Sequence, residues 1–218
     1  MPHEPVEIFP SDPEDTRQSI MKATYGILCE RGYDGLSMQR VADRVGIEKA
    51  SLYYHYDGKD DLLKAFLDFL TERLVDVFPL GEHGDAEQDL RTALDSFFLN
   101  VSDAAGDEEA TFMTPDFARA YVELRAQAAH DEEYRRHFTE SERRIETQLA
   151  GLVDRGIEEG VFRPVDSHGV AEYLLYNIEG VIFRAATSDE GALEAARTEL
   201  DAYIDGRLVT DDEAEPTA

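Results

Sequence analysis

The sequence predicts an all-α protein: an N-terminal three-helix unit containing a helix-turn-helix, joined by a long helix to a larger helical domain. Three observations carry this. Apolar residues recur at three- and four-residue spacing along nearly the whole chain, with almost no strand-like alternation. Glycines, prolines and capping residues break that pattern at intervals suited to helix ends. Two short amphipathic segments flank Gly46, as a tight helix-turn-helix requires.

Each element follows from its residues. Asp12 is placed to cap the first helix, with Pro13 in its first turn and Glu14 and Asp15 suiting the helix dipole. Ile20, Ala23, Ile27 and Leu28 point inward, and Gly32 ends the helix. Ser37 caps a short helix with Val41, Ala42 and Val45 on one side, broken at Gly46. The next short helix covers 48–54, with Ile47 and Leu52 as anchors; small Ala42 permits a close crossing. Asp57 and Gly58 make a turn, and a long helix over 59–78 turns Leu62, Leu63, Phe66, Phe69, Leu70 and Leu74 inward. Further helices are expected over 86–104 (Leu90, Leu94, Phe97, Phe98, Val101), 115–127 (Phe117, Tyr121, Leu124) and 131–158 (Tyr134, Phe138, Ile145, Leu149, Leu152). After the connector "EEGVFRPVD" come two more, over 167–187 and 191–208. The expected organisation is a head over 12–58 with the start of the fourth helix, a body over 59–208 and a flexible acidic tail over 209–218.

Charge narrows the partners. Apolar content of 42% fits a globular chain of 218 residues with a sizeable core. A net charge of -27, spread evenly, would oppose any polyanion. It is not even. Residues 1–15 carry five acids and no Lys or Arg, residues 16–64 eight basic and seven acidic residues, and residues 65–218 thirteen basic and thirty-six acidic. All four lysines, Lys22, Lys49, Lys59 and Lys64, lie in the middle block, which is where a polyanion could dock. A surface rich in acids and poor in lysine resembles proteins of extreme halophiles, where molar salt shortens screening to about 3 Å; an acidic mesophilic protein is the alternative. The single cysteine, Cys29, excludes an internal disulfide. No apolar run approaches the roughly 20 residues of a membrane span, and "MPHEPVEIFP" lacks the regions of a secretion signal. A cytoplasmic protein with no membrane partner is expected.

The segment "GYDGLSMQRVADRVGIEKASLYYHYDGKDDLLKAF", residues 32–66, resembles the TetR family of transcriptional regulators. The resemblance lies in the Gly-aromatic-x-Gly entry, the Ser opening the second helix, the central Ala, the Gly at the turn, and the Leu-Tyr pair followed by the Lys-x-x-Leu-Leu run. It implies a dimeric DNA-binding protein, a repressor more than an activator, that reads double-stranded operator DNA with its third helix in the major groove. Site residues follow from it: Ser37, Gln39 and Arg40 on the second helix; Lys49, Ala50 and Ser51 facing base edges; Tyr53, Tyr54 and His55 on the sugar-phosphate walls; Lys59 pairing a phosphate. Gly58 and Tyr56 depart from the family pattern, and Glu48 faces the DNA side. Taken singly, Tyr53 or Tyr56 reads as a core aromatic and Lys59 as a solvated lysine; their joint spacing makes the DNA reading.

The resemblance also implies dimerisation through the last two helices, here through Val170, Leu174, Ile178, Val181, Ile182, Ala196 and Leu200, with Gly169 and Gly180 allowing close approach. The competing reading is that this stripe packs inside one subunit. An effector is implied among Phe97, Phe98, Phe112, Met113, Phe117, Tyr121, Phe138, Tyr173, Tyr176 and Asn177, a lining that suits an unknown hydrophobic or aromatic small molecule. Ligand control would act through the long fourth helix.

Enzyme chemistry finds no support. Cys29 lies on the apolar side of the first helix, as a core residue does. His130 and His137 in "HDEEYRRH" lack the spacing of zinc helices, and no phosphate loop, dinucleotide fingerprint or nucleophile elbow occurs. No metal, cofactor or catalytic residue is assigned. The alternative function is a helical small-molecule-binding protein of the same fold that no longer recognises an operator.

Overall fold

The computed structural model describes residues 9, 13, 15–77, 84–102, 114–188 and 193–210, with the side chains of 74–77, 96–102 and 193–194 outside the description. Asp12, Phe112 and Met113 and the side chains of Leu74, Phe97, Phe98 and Val101 therefore lie outside the described residues. Among the described residues the chain is all helical, as expected: α1 (Thr16–Gly35), α2 (Met38–Val45), α3 (Lys49–His55), α4 (Lys59–Val77), α5 (Ala86–Ser102), α6 (Pro115–Gln127), α7 (Glu132–Glu159), α8 (Ser167–Thr187) and α9 (Leu193–Tyr203). One π-type turn, Ile204–Leu208, ends α9.

Helix ends follow local chemistry. The cap of α1 is Asp15, not Asp12: its carboxylate accepts the Gln18 amide hydrogen at 2.7 Å, which leaves Pro13 outside the helix. Gly32 interrupts α1 at φ 66, and 33–35 form one further turn. Ser37 caps α2, its hydroxyl accepting from the Arg40 amide at 3.4 Å. Gly46 closes α2 in the left-handed region (φ 80), donating to the Ala42 carbonyl at 2.9 Å, and Ile47 donates to the same oxygen at 3.1 Å. Open space surrounds a Cβ built at position 46, so backbone strain alone decides its substitution. Gly46→Ala is expected to destabilise the protein by about 1–2 kcal/mol, the usual cost of an L-residue in that conformation; thermal denaturation checks it, and an unchanged midpoint would mean that the turn relaxes.

Head and body share one continuous core. Ile20, Ile27, Leu28, Val41, Ala42 and Leu52 are buried between α1, α2 and α3, and Leu62, Leu63 and Phe66 continue that core along α4. Phe9, ahead of α1, packs its ring against Tyr25 at 4.7 Å and Phe69 at 5.7 Å. In the body α7 lies on α8, α4 and α5, while α6 bridges α1 and α8. Arg91 of α5 pairs with Asp201 and Asp205, and Arg197 of α9 pairs with Asp95, which fixes α9 to α5. The first two residues of the expected tail are held: Val209 bridges to Phe162, and the Thr210 amide donates to the Val161 carbonyl at 3.0 Å. The Gly160 turn brings that edge alongside, so the chain is held through residue 210.

Candidate nucleic-acid interface and ligand cavity

Helix α3 presents a continuous exposed strip. Leu52 is its buried anchor, so the rest of the short helix faces outward. Lys49, Ala50, Ser51 and His55 are exposed, Tyr53 is 46% exposed and Tyr54 87%. Lys49 Nζ lies 5.5 Å over the Tyr53 ring, and the Tyr54 and His55 rings meet edge-on at 5.3 Å. These contacts order the side chains without covering them. On α2, the exposed Gln39 amide bonds Asp43 at 2.7 Å, and the Arg40 guanidinium donates to the Gly35 carbonyl. Arg44 grips both oxygens of Glu30 at 2.7 and 2.6 Å and so locks α2 onto α1.

Lys59 departs from expectation. It does not reach outward from the start of α4. Its Nζ donates to the Tyr33 carbonyl at 2.6 Å and lies 3.8 Å from the Tyr33 ring centroid. Burial lowers its pKa, with the charges of Asp34, Asp60 and Glu123 opposing. The ring and carbonyl offered by Tyr33 outcompete an outward pose, so this ammonium braces the head internally.

The body contains a mostly apolar cavity of about 50 Å³ between α4, α6, α7 and α8. Of the expected lining, Phe117, Tyr121 and Phe138 are present, joined by Leu67, Leu70, Thr71, Ser141, Ile145 and Leu175. Burial pushes the Tyr121 hydroxyl up to about 12, with its ring edge-on to Phe138 at 5.7 Å. Two acids complete the wall, Glu142 and Glu179. Arg125 sits beside both, 2.5 Å from Glu142 Oε1 and 3.2 Å from Glu179 Oε1, with its guanidinium carbon 5.1 Å from the Phe138 ring centroid. Its Nη1 is buried without a hydrogen-bond partner among the described residues. Burial raises the Glu179 pKa, the nearby Glu142 charge adds to this, and Arg125 opposes it. Two carboxylates thus share one guanidinium in a partly buried place. The acids were missed from sequence, yet both stand on the apolar stripe: Glu142 between Phe138 and Ile145, and Glu179 between Leu175 and Ile182. An acid at an inward helical position was the readable signal.

Helix α8 exchanges the roles expected of its two faces. Val170, Leu174, Ile178, Val181 and Ile182, expected at a subunit interface, are buried within this chain, and Ile178 and Ile182 line the cavity. Leu200 of α9 is buried too, while Ala196 is exposed. Tyr173, expected in the cavity, stands outside at 43% exposure; Tyr176, 61% exposed, and Phe183, 57% exposed, line a wider adjoining groove of about 500 Å³ with Tyr121, Arg125 and Glu179. The Asn177 amide donates to the Tyr173 carbonyl on its own helix. The reason is geometric: α7 and α6 cover the aliphatic side of α8, and the opposite side is left largely open. Tyr173 stacks on Tyr203 of α9 at 4.5 Å, so the open face runs across both helices.

Among the described residues, no group of three His, Cys, Asp or Glu could hold a metal, and no helix is long and apolar enough to cross a membrane. His137 is occupied by Asp68 at 3.0 Å.

Residues 20–66 match the model of bacterial regulatory proteins of the tetR family, and residues 91–209 match the BetI-type transcriptional repressor C-terminal model. A solved TetR transcription regulator from Haloarcula marismortui is 37% identical, covers 88% of this chain and 97% of its own, and superposes with a TM-score of 0.75. A transcriptional regulator from Saccharomonospora viridis in complex with choline shares the fold at 20% identity and a TM-score of 0.70, over 91% of this chain and 100% of its own. Among curated proteins, the HTH-type transcriptional regulator BetI 2 of Chromohalobacter salexigens is 25% identical across 88% of each chain. An exposed third helix on a helix-turn-helix head, a helical body, and matches to both parts lead to one conclusion: the chain belongs to the TetR family of transcriptional regulators, with a BetI-type C-terminal domain, and is a DNA-binding regulator rather than an enzyme.

Proposed function

We propose that the protein is a cytoplasmic, homodimeric repressor that grips a near-palindromic operator with helix α3 of each copy and lets go when a small organic cation occupies the cavity. The exposed strip of Lys49, Ser51 and Tyr54 carries the reading, because it stands on the least acidic part of a strongly acidic chain. A dimer built across Tyr173, Tyr176 and Phe183 would set two such strips about 34–36 Å apart, one turn of DNA. A compact dimer seated on a promoter blocks polymerase by bulk alone.

The cation reading sharpens the expectation of a hydrophobic or aromatic effector. The walls are apolar and ringed, but the polar groups are acids, and the chain's own Arg125 already lies against Phe138 and between the two carboxylates. Aromatic faces plus a carboxylate are what a quaternary ammonium seeks. Choline in the Saccharomonospora viridis regulator supports the same class.

The acidic body also predicts how binding responds to salt. Repulsion between body and duplex is screened at molar salt, while each phosphate neutralised contributes a slope of only about -0.9 in log affinity against log salt. With Lys59 and Arg40 engaged inside the head, that slope is shallow. A mobility-shift titration in KCl with DNA upstream of the protein's own gene tests the whole reading. Wild type retards the DNA into molar salt, and Lys49→Ala and Tyr54→Ala each weaken it about tenfold. A folded dimer that shifts no DNA at any salt concentration would make this a ligand-binding protein without an operator.

A further inference from the structure

Head and body touch along the α1–α6 contact, and one end of that contact is built around Tyr33. Its amide follows the Gly32 break and donates to Glu123 Oε2 of α6 at 2.6 Å. A Cβ at position 32 would stand 2.7 Å from that same oxygen, so the glycine leaves the room that the carboxylate fills. From α4, Lys59 takes the Tyr33 carbonyl and ring. The hydroxyls of Tyr33 and of Tyr134 on α7 both reach Asp60 Oδ1, at 3.4 and 3.3 Å. Three body-side or linking helices thus converge on a single residue at the exit of α1.

We propose that Glu123 is a positioning residue for operator binding: its carboxylate holds the head at the angle where both reader helices of a dimer fit one operator, and ligand entry withdraws it. This rests on the functional reading above. The physical link is helix α6 itself. Tyr121 lines the cavity, and Arg125, four residues on, lines the adjoining groove beside Glu179. Glu123 lies two residues from each, about 200° around a helix of 3.6 residues per turn, and so faces the head. A quaternary ammonium seated among Tyr121, Phe138 and Glu179 bears directly on α6 and α8. Switching helices commonly shift by about 1–2 Å. A hydrogen bond of 2.6 Å does not survive such a shift in full. The consequence reaches the reader quickly: Gly35, whose carbonyl holds Arg40, and Ser37, which caps α2, lie within a few residues of Tyr33. Coupling therefore runs through α6 into α1, besides any path along α4.

The experiment uses the full chain as wild type, Glu123→Ala and Glu123→Gln, reading operator affinity, choline-induced release, thermal midpoint and amide exchange at Tyr33. Glu123→Ala stays a folded dimer, binds operator about tenfold more weakly, and shows almost no further response to choline. Glu123→Gln, whose amide oxygen can still accept from Tyr33, recovers most of the affinity. Without DNA, the Tyr33 amide is protected in wild type, exchanges faster with choline, and is fast in Glu123→Ala with or without it. A purely structural role would lower the thermal midpoint while the folded dimer kept wild-type operator affinity and release; that result overturns the proposal. If wild type binds no operator, the functional reading fails instead, and an unprotected Tyr33 amide in wild type would sink the clasp separately. If choline does not bind wild type, the cation reading fails, and the operator and exchange arms of Glu123→Ala still decide.

Discussion

Phe183→Glu is expected to split the dimer and, with it, to abolish operator binding. Phe183 is 57% exposed within the chain, so the substitution leaves no hole in the core. At a twofold interface each copy contributes the same residue, so a single change acts twice and places two like charges near one axis. Loss of one aromatic anchor typically costs about 2–4 kcal/mol at an interface; doubled, and with charge repulsion added, the dimer weakens by more than about a hundredfold. Sedimentation measures this directly, and a mobility shift should then show almost no complex, because one reader helix alone holds only half the site. Ile182→Ala provides the contrast. It enlarges the cavity and lowers stability, by the cost of an aliphatic truncation, but leaves the dimer intact. Should Phe183→Glu sediment as a dimer, the open face of α8 is not the interface.

Choline is expected to bind at least tenfold more tightly than its neutral isostere, in which carbon replaces the ammonium nitrogen. The two match in shape, so the difference reports charge recognition by Glu142, Glu179 and the rings. Desolvated charge-assisted contacts contribute more than about 1.4 kcal/mol, which is the tenfold threshold. Glu179→Gln should erase most of that preference while still taking up both ligands weakly. The pH dependence has a definite sign. Burial raises the Glu179 pKa above the ordinary glutamate range, so at acid pH this carboxyl is neutral and attracts no cation. Choline affinity therefore climbs as pH rises through that raised value, then levels off, and bound choline pulls the pKa back down with release of a proton. Calorimetry in buffers of different ionisation heat detects that proton. Equal affinity for choline and its isostere would remove the cation from the account and return the cavity to neutral ligands.

How much of this was legible in advance depends on how local each signal was. Ser37, Gly46 and Leu52 declare the helix-turn-helix because caps, turns and anchors act over a few residues, and those are neighbours in sequence. Asp15 in place of Asp12 at the first cap is the small slip this kind of reasoning makes, since both acids precede the same apolar stripe. Lys59 shows a deeper failure. As a lone lysine at a helix start it reads as an anion contact, and only the fold brings Tyr33, 26 residues earlier, under its ammonium.

Helix α8 marks the boundary most clearly. Sequence alone specifies an all-helical chain, a short third helix bearing Lys49 and Tyr54, and a rich apolar composition in α8, because each is written in residue type and spacing. It did not determine which side of α8 turns to the molecule's own core. Ile178 and Ile182 on one side, Tyr176 and Phe183 on the other, are both apolar enough to be buried. Only tertiary packing chose, by laying α6 and α7 over the aliphatic side, which made that side the cavity wall and left the aromatic side open. Periodicity measures how apolar a face is; what covers it depends on residues far away along the chain.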